Sequence, residues 1–372
     1  MAGGCGCDGS HDEAPIALSR RAALTASISA VVAGAALGTA ARASAAPSPD
    51  SPSLPANALI TLGVQAGPPP VPNRTGISST LKVGSDLYQI DCGLGSLNAF
   101  TNAGLRFDGL KSLFITHLHT DHIVDYYSFF LSGGYTASAG KSPVTVFGPG
   151  PSGGLPPSRV GIANPPTVDP ANPAPGLAAT TDALHRAFAY TSNIFIRDMG
   201  VDDIQDLMSV TEIAVPPGSD HLNRAPLMEP FHVVSDDNVT VTATLVSHYD
   251  VYPAFGFRFD LRETGVSVTF SGDTTKSENL IRLARDTDIL VHEAQFSLDD
   301  AYYDNRFPPG YLVKSHTSAE QVGEVAAAAN ARHVVLSHYS PTDLPESQWH
   351  DAIGKHFSGK LTVAHDGQVF AL

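Results

Sequence analysis

The stretch THLHTDH at residues 116–122 places three histidines, His117, His119 and His122, and one aspartate, Asp121, directly after the apolar run LFI. Imidazole and carboxylate groups hold divalent cations without help from a thiolate. In an extended segment, residues i and i+2 point to the same side, so His117 and His119 can converge on one cation. Asp121 and His122 stand at the start of a predicted helix, turned toward a second position. The spacing therefore suits two neighbouring metal ions better than one.

Four ligands near one loop cannot close two sites, so more must come from other strand ends. His248 follows TATLVS, Asp273 lies in FSGDT and His338 in VVLSHYS, each leaving a β-rich run for a turn with Gly, Tyr or Ser. A carboxylate can give one oxygen to each of two metals, whereas a histidine usually serves one, which makes Asp273 the expected bridge. Nitrogen and carboxylate donors favour Zn2+, with Mn2+ or Fe as alternatives. The isolated histidines, among them His185, His221 and His333, read as surface or satisfied core residues.

Several elements must position these ligands. ALITLGVQAG reads as a strand running into a turn, and ISSTLKVGSDLYQIDCG as two strands around VGSD. SLFITH is a short apolar run suited to a buried strand. A helix is predicted over 121–133, with Thr120 or Asp121 as N-cap and Gly133 and Gly134 as its stop. PVTVFGPG gives one more strand, and 148–176, rich in Pro, Gly and Ala, reads as an irregular excursion. A helical pair is expected near 181–194 and 201–208. Beyond 238, strand, helix and strand alternate to the end. Hairpins early and alternation late point to an α/β fold of two mixed sheets covered by outer helices.

The chain has 372 residues, 42% of them hydrophobic, enough for one large domain. Residues 1–46 carry Arg20 and Arg21, then an uncharged Ala- and Gly-rich run, then small residues ending at Ala45 and Ala46. That order describes a signal peptide and is similar to a twin-arginine signal, so an exported, periplasmic or extracellular product is expected, with no stable membrane insertion after cleavage. Residues 47–56 form a Pro/Ser linker, leaving 57–372 as a single catalytic domain interrupted by an insertion at about 149–237. Cys5 and Cys7 would leave with the signal, so Cys92 alone remains and a disulfide framework is excluded. The net charge of −15 opposes a polyanionic partner such as RNA.

HLHTDH, FSGDT and LSHYS, in that order, resemble the metallo-β-lactamase superfamily of binuclear hydrolases, nearest to its ribonuclease Z and arylsulfatase-like branch. LGVQAGPPP, the Asp-x-Gly-x-Gly turn in YQIDCGLG, SHYDVYPAFGFRF, VHEAQF and SHTSAEQVGEVAAAANARHVVLSHYSP extend the likeness over about 58–148 and 238–372. The resemblance implies a four-layer αββα sandwich. It implies one metal on His117, His119, His248 and Asp273, and the other on Asp121, His122, Asp273 and His338. It further implies a bridging hydroxide as nucleophile, Asp121 to orient it, and His316 as general acid with Glu293 fixing it. His292 is a weaker catalytic candidate, and a homodimer is compatible with the family.

Gln295 stands where the family's loop has Thr, and HTS replaces HST. The 149–237 region contains no Lys/Arg-rich, Gly-rich arm for gripping transfer RNA and instead is similar to that of the exported, arylsulfatase-like members. The leading expectation is an exported binuclear hydrolase of a small anionic ester, a phosphodiester or an aryl or alkyl sulfate. The alternatives are a ribonuclease Z-type transfer RNA 3′ endonuclease and a zinc-binding protein without catalysis. A β-lactamase proper fits less well, because those enzymes lack this bridging aspartate with the His-Glu-Ala loop.

Overall fold

The computed structural model describes residues 54–133, 142–159 and 161–372, so the expected signal, most of the linker and Gly134 lie outside the described residues. Two seven-stranded sheets dominate. The first contains β1 (Asn57–Gly63), β2 (Ser78–Val83), β3 (Asp86–Ile90), β4 (Leu110–Phe114), β5 (Val144–Pro149), β6 (Met208–Ile213) and, beside β1, β14 (Gln368–Ala371). The second runs from β7 (Phe231–Ser235) through β8 (Val239–Leu245), β9 (Phe255–Leu261), β10 (Ser267–Phe270), β11 (Ile289–Gln295) and β12 (His333–Ser340) to β13 (Lys360–Val363). Each sheet mixes antiparallel and parallel pairs, with β3 to β6 parallel in one and β10 to β13 in the other.

Period-two alternation assigns the faces. Leu59 of β1 and Phe114 of β4 point between the sheets, while Ala58, Ile60, Leu62, Leu113 and Ile115 point outward. Opposite them, VTVTATL in β8 and FGFRFDL in β9 direct Val239, Val241, Phe257 and Phe259 into the same layer. Phe114 meets Phe257 edge-on at 5.5 Å and Phe259 at 5.0 Å, and stacks on Phe147 at 5.0 Å. Burying each such side chain contributes roughly 1.5–3 kcal/mol, so this layer fixes how the sheets face each other.

Helices cover both outer faces. α1 (Ser96–Asn102), α2 (Thr120–Ile123), α3 (Tyr126–Gly133), α4 (Leu177–Ala187) and α5 (Ala189–Met199) precede β6. Phe100, Tyr126, Phe129, Phe130 and Leu177 pack on the outer face of the first sheet. α6 (Glu278–Leu283), α7 (Tyr311–Ser315), α8 (Ala319–Ala328) and α9 (Glu346–Ile353) follow, and Leu280, Leu283, Val322, Trp349 and Ile353 pack on the second sheet. The expected αββα sandwich of two mixed sheets is therefore the observed fold.

Local expectations differ in three places. The single helix over 121–133 is two, because the Asp125 N–H goes to the Cys92 carbonyl at 3.0 Å rather than up the helix. Its N-cap is His119 without a side-chain cap bond, not Thr120 or Asp121. The helical pair lies at Leu177–Ala187 and Ala189–Met199, divided at Phe188 and stopped by Gly200 in the left-handed region. Residues 208–213 and 231–235, inside the expected insertion, are the edge strands β6 and β7.

Candidate metal centre

His117 and His119 lie in the segment that leaves β4, the first fully buried, the second half-buried. Asp121 and His122 occupy the first turn of α2. His248 comes three residues after β8, and Asp273 three after β10. Gly272 makes the latter turn possible: its φ is +58°, and a Cβ there would fall 2.4 Å from the Phe255 carbonyl oxygen. His338 sits on a bulge. Between the pairs His292/Leu336 and Ala294/Tyr339, β12 has two residues where β11 has only Glu293. With φ of +54°, His338 is thereby turned toward the other ligands.

The structure brings all seven expected ligands together as two groups, His117, His119, His248 and Asp273 in one and Asp121, His122 and His338 in the other. Within each group one ligand atom per residue lies within 4.8 Å of the others. Asp273 stands between them: Oδ2 is 4.0 Å from His117 Nε2 and 3.7 Å from His248 Nε2, while Oδ1 is 3.4 Å from His122 Nε2 and 3.2 Å from His338 Nδ1. His338 Nε2 lies 3.3 Å from Asp121 Oδ2.

The fit to cations rests on groups the protein does not satisfy. His117 Nε2, His122 Nε2, His338 Nδ1 and Asp273 Oδ1 are buried without a hydrogen-bond partner among the described residues. Such groups are rare and costly in a folded protein, and bare donors in both groups match what metal ions demand. Burial, with neighbouring imidazoles, holds His117 well below its usual range, and burial first also holds His248 down, to about 3. These rings are neutral and ready to ligate. His122 is the exception, since Asp273, Asp91 and Asp121 outweigh the effect of burial and raise its proton affinity. A cation in the second group would displace that proton.

Outward-facing nitrogens are held by the surrounding protein. His248 Nδ1 donates to the Ser315 carbonyl at 2.7 Å, and Thr116 Oγ1 pairs with His117 Nδ1 at 3.1 Å. His122 Nδ1 donates to Asp91 Oδ2 at 2.8 Å, and Asp91 also accepts from the Thr116 N–H and hydroxyl, both at 2.8 Å. Asp91 was not among the expected site residues, although it begins the Asp-x-Gly-x-Gly turn. Gly93 shows why the turn is glycine-rich, since a Cβ there would lie 2.6 Å from the Asp121 carbonyl oxygen. An Asp91→Asn variant is expected to lose about 10–100-fold in affinity for the second metal while the first is little affected. Titration of the two sites with zinc checks this, and equal weakening of both would contradict it.

His316 and Glu293 adjoin the first group. His316 stands 5.1 Å from His248, ring centre to ring centre. Its Nδ1 is 3.3 Å from both carboxylate oxygens of Glu293. Burial opposes charge on both, yet Glu293 Oε1 accepts from the Thr274 N–H at 3.2 Å and the Thr317 N–H at 3.1 Å, which favours the carboxylate. Burial raises the proton affinity of Glu293 and the Glu293 carboxylate raises that of His316, so the pair holds a proton beside the first metal group. His316 does not cap α8; Ser318 does, in a reciprocal capping box with Gln321. His292 is buried behind the site, with Nδ1 donating to the Glu293 carbonyl at 2.6 Å.

Comparison with known proteins bears on the fold that carries these groups. A beta-lactamase superfamily domain matches residues 179–339. A ribonuclease Z of Mycobacterium bovis is 26% identical over 310 residues, covering 82% of this chain and 95% of the relative. In fold, the chain is similar to human tRNase Z, short form, with a TM-score of 0.56 at 20% identity, over 84% of this chain and 98% of that one. It is likewise similar to the metallo-beta-lactamase fold protein YhfI from Bacillus subtilis, with a TM-score of 0.55 at 16% identity over 84% and 99% of the two chains. With two mixed sheets flanked by helices, at whose strand ends the His and Asp groups stand, the chain has the metallo-β-lactamase fold, and its stretch 179–339 matches a beta-lactamase superfamily domain.

Proposed function

We propose that the chain, a metal-dependent hydrolase of ester bonds, cleaves a small anionic phosphodiester. The observation that carries this reading is the pairing of two metal-ready groups through Asp273 with a protonated His316 beside them. Two divalent cations, zinc by the donor set, would lower the pKa of a water held there and offset charge on the ester oxygens. Asp121 orients the attacking water and takes its proton. A phosphorus–oxygen bond forms to that water while the bond to the leaving oxygen breaks, and His316 protonates the departing oxygen. Glu293 holds the imidazole in the tautomer that presents Nε2 as the acid.

Charge favours a small substrate over transfer RNA. Residues 149–237 contain four arginines, no lysine and eleven acidic residues, a stretch that repels a polyanion. The ribonuclease Z relatives favour a nucleic-acid substrate, so both belong in one assay. Metal-loaded protein is expected to hydrolyse bis(4-nitrophenyl) phosphate at least about tenfold faster than 4-nitrophenyl sulfate or a precursor transfer RNA, and to lose activity with chelator. Faster sulfate or RNA cleavage would displace the phosphodiester reading. Export of the mature domain is part of the same proposal, and an uncleaved cytoplasmic product on cell fractionation would withdraw it and bring RNA forward.

A further inference from the structure

Beside Asp121 the surface opens into a cavity of about 90 Å³. Pro68 and Pro70 from the loop after β1, Leu94 from the turn after β3 and Val124 just past α2 form its apolar walls, with Arg74 the one cation in its lining among the described residues. Leu94 and Val124 are each 49% exposed, so apolar surface faces water immediately beside a metal-ready carboxylate. Exposed apolar side chains lining a concave site that adjoins reactive groups are the usual makings of a ligand pocket.

The walls are held in place before any substrate arrives. Gln65 donates from Nε2 to the Pro69 carbonyl at 2.5 Å and accepts the Val71 N–H at 3.2 Å, which pins the loop. Three consecutive prolines, Pro68 to Pro70, restrict its backbone further. On the opposite rim, the Cys92 N–H bonds the His122 carbonyl at 2.7 Å, tying the Leu94 turn to α2. A preformed pocket loses little entropy on binding, so buried apolar contact converts well into affinity.

Position decides which part of the substrate enters. The leaving oxygen has to reach His316, yet neither His316, Glu293 nor the neighbouring Tyr249 and Tyr311 lines this cavity. A group seated there is attached to the phosphorus held by the metals but is away from the proton donor. We propose that this cavity takes the substituent that stays on phosphorus, and that it selects a short apolar chain of a few carbons over a nucleoside. Size supports the choice, since a cavity of about 150 Å³ is what benzene occupies, and this one is smaller. The inference rests on the phosphodiesterase reading above.

The test uses zinc-loaded full-length protein and three 4-nitrophenyl phosphodiesters whose retained group is methyl, butyl or thymidin-5′-yl. All share one leaving group, so differences report the retained side. Each fully buried methylene is worth about fourfold, so partial burial of the longer chain should raise kcat/KM on the order of tenfold for butyl over methyl. The thymidyl ester should fall below butyl. Leu94→Ala should bring the butyl-to-methyl ratio toward one at unchanged zinc content. Calorimetric binding of butylphosphonate against methylphosphonate gives a second readout that needs no turnover. Equal values for methyl and butyl in both measurements, or a thymidyl ester preferred over butyl, would overturn the subsite. If no diester turns over but butylphosphonate binds about tenfold tighter and Leu94→Ala erases the difference, the subsite stands and the phosphodiesterase reading falls.

Discussion

Replacing Asp273 with alanine is expected to empty both metal groups together and to lower turnover by roughly 10³-fold or more. The magnitude follows from the several kcal/mol that metal ions contribute to an ester's transition state, at about 1.4 kcal/mol for each factor of ten. The geometry makes this residue different from every other ligand. One carboxylate oxygen faces His117 and His248, the other His122 and His338, so no single histidine substitution touches both groups. His117→Ala should therefore lower occupancy of the first group while the second keeps its own three side chains. Metal analysis of purified variants separates the cases. Full retention of one metal in Asp273→Ala would show that Asp273 serves a single cation. Asp273→Asn keeps size and shape without the second anionic oxygen, so its failure to bind metal in a protein of wild-type circular dichroism isolates the charge from the fold.

Much of this site was legible because the ligands stand where strands end. Alternation in residues such as Leu59, Phe114, Val241 and Phe257 marks which runs are strands, and the chemistry follows each run by a few residues. His248, Asp273 and His338 were reachable from that logic alone, though the bulge that turns His338 inward depends on the pairing of β11 with β12 and has no local signature. The edge strands were harder to read. MSVTEI and FHVVS bury few of their side chains, so their alternation is weak, and only a neighbouring strand supplies the missing half of their hydrogen bonds. Asp91 escaped for a related reason. A carboxylate in a turn most often bonds its own backbone, and its role toward His122 appears only when β3 and α2 come together. The break between α2 and α3 likewise arises from a bond to the Cys92 carbonyl, a contact between segments far apart in the local pattern.

The second large effect is expected at His316, and there the metals should stay. His316 belongs to neither metal group, so His316→Ala should keep full metal content while kcat falls roughly 10²–10³-fold, the usual worth of a positioned general acid. Glu293→Gln should fall less, because the imidazole remains in place and loses only the carboxylate that charges and orients it. Loss of rate alone would not distinguish an acid from a residue that shapes the pocket. The distinguishing measurement is the dependence on leaving group. An acid matters most when the departing oxygen is basic, so the deficit should shrink for a 4-nitrophenyl ester and grow for a phenyl or alkyl leaving group. A structural role would lower all of them by the same factor, and that uniform loss would remove His316 from the chemistry. The observed environment favours the graded outcome: two backbone N–H groups support the Glu293 carboxylate against its burial, Ser318 caps α8 in place of His316, and the ring stands 5.1 Å from His248 at the edge of the first metal group. Burial that would normally strip the proton from such a ring is outweighed by Glu293 first, with Asp273 and Asp121 adding to it, so a proton is held where a leaving oxygen can use it.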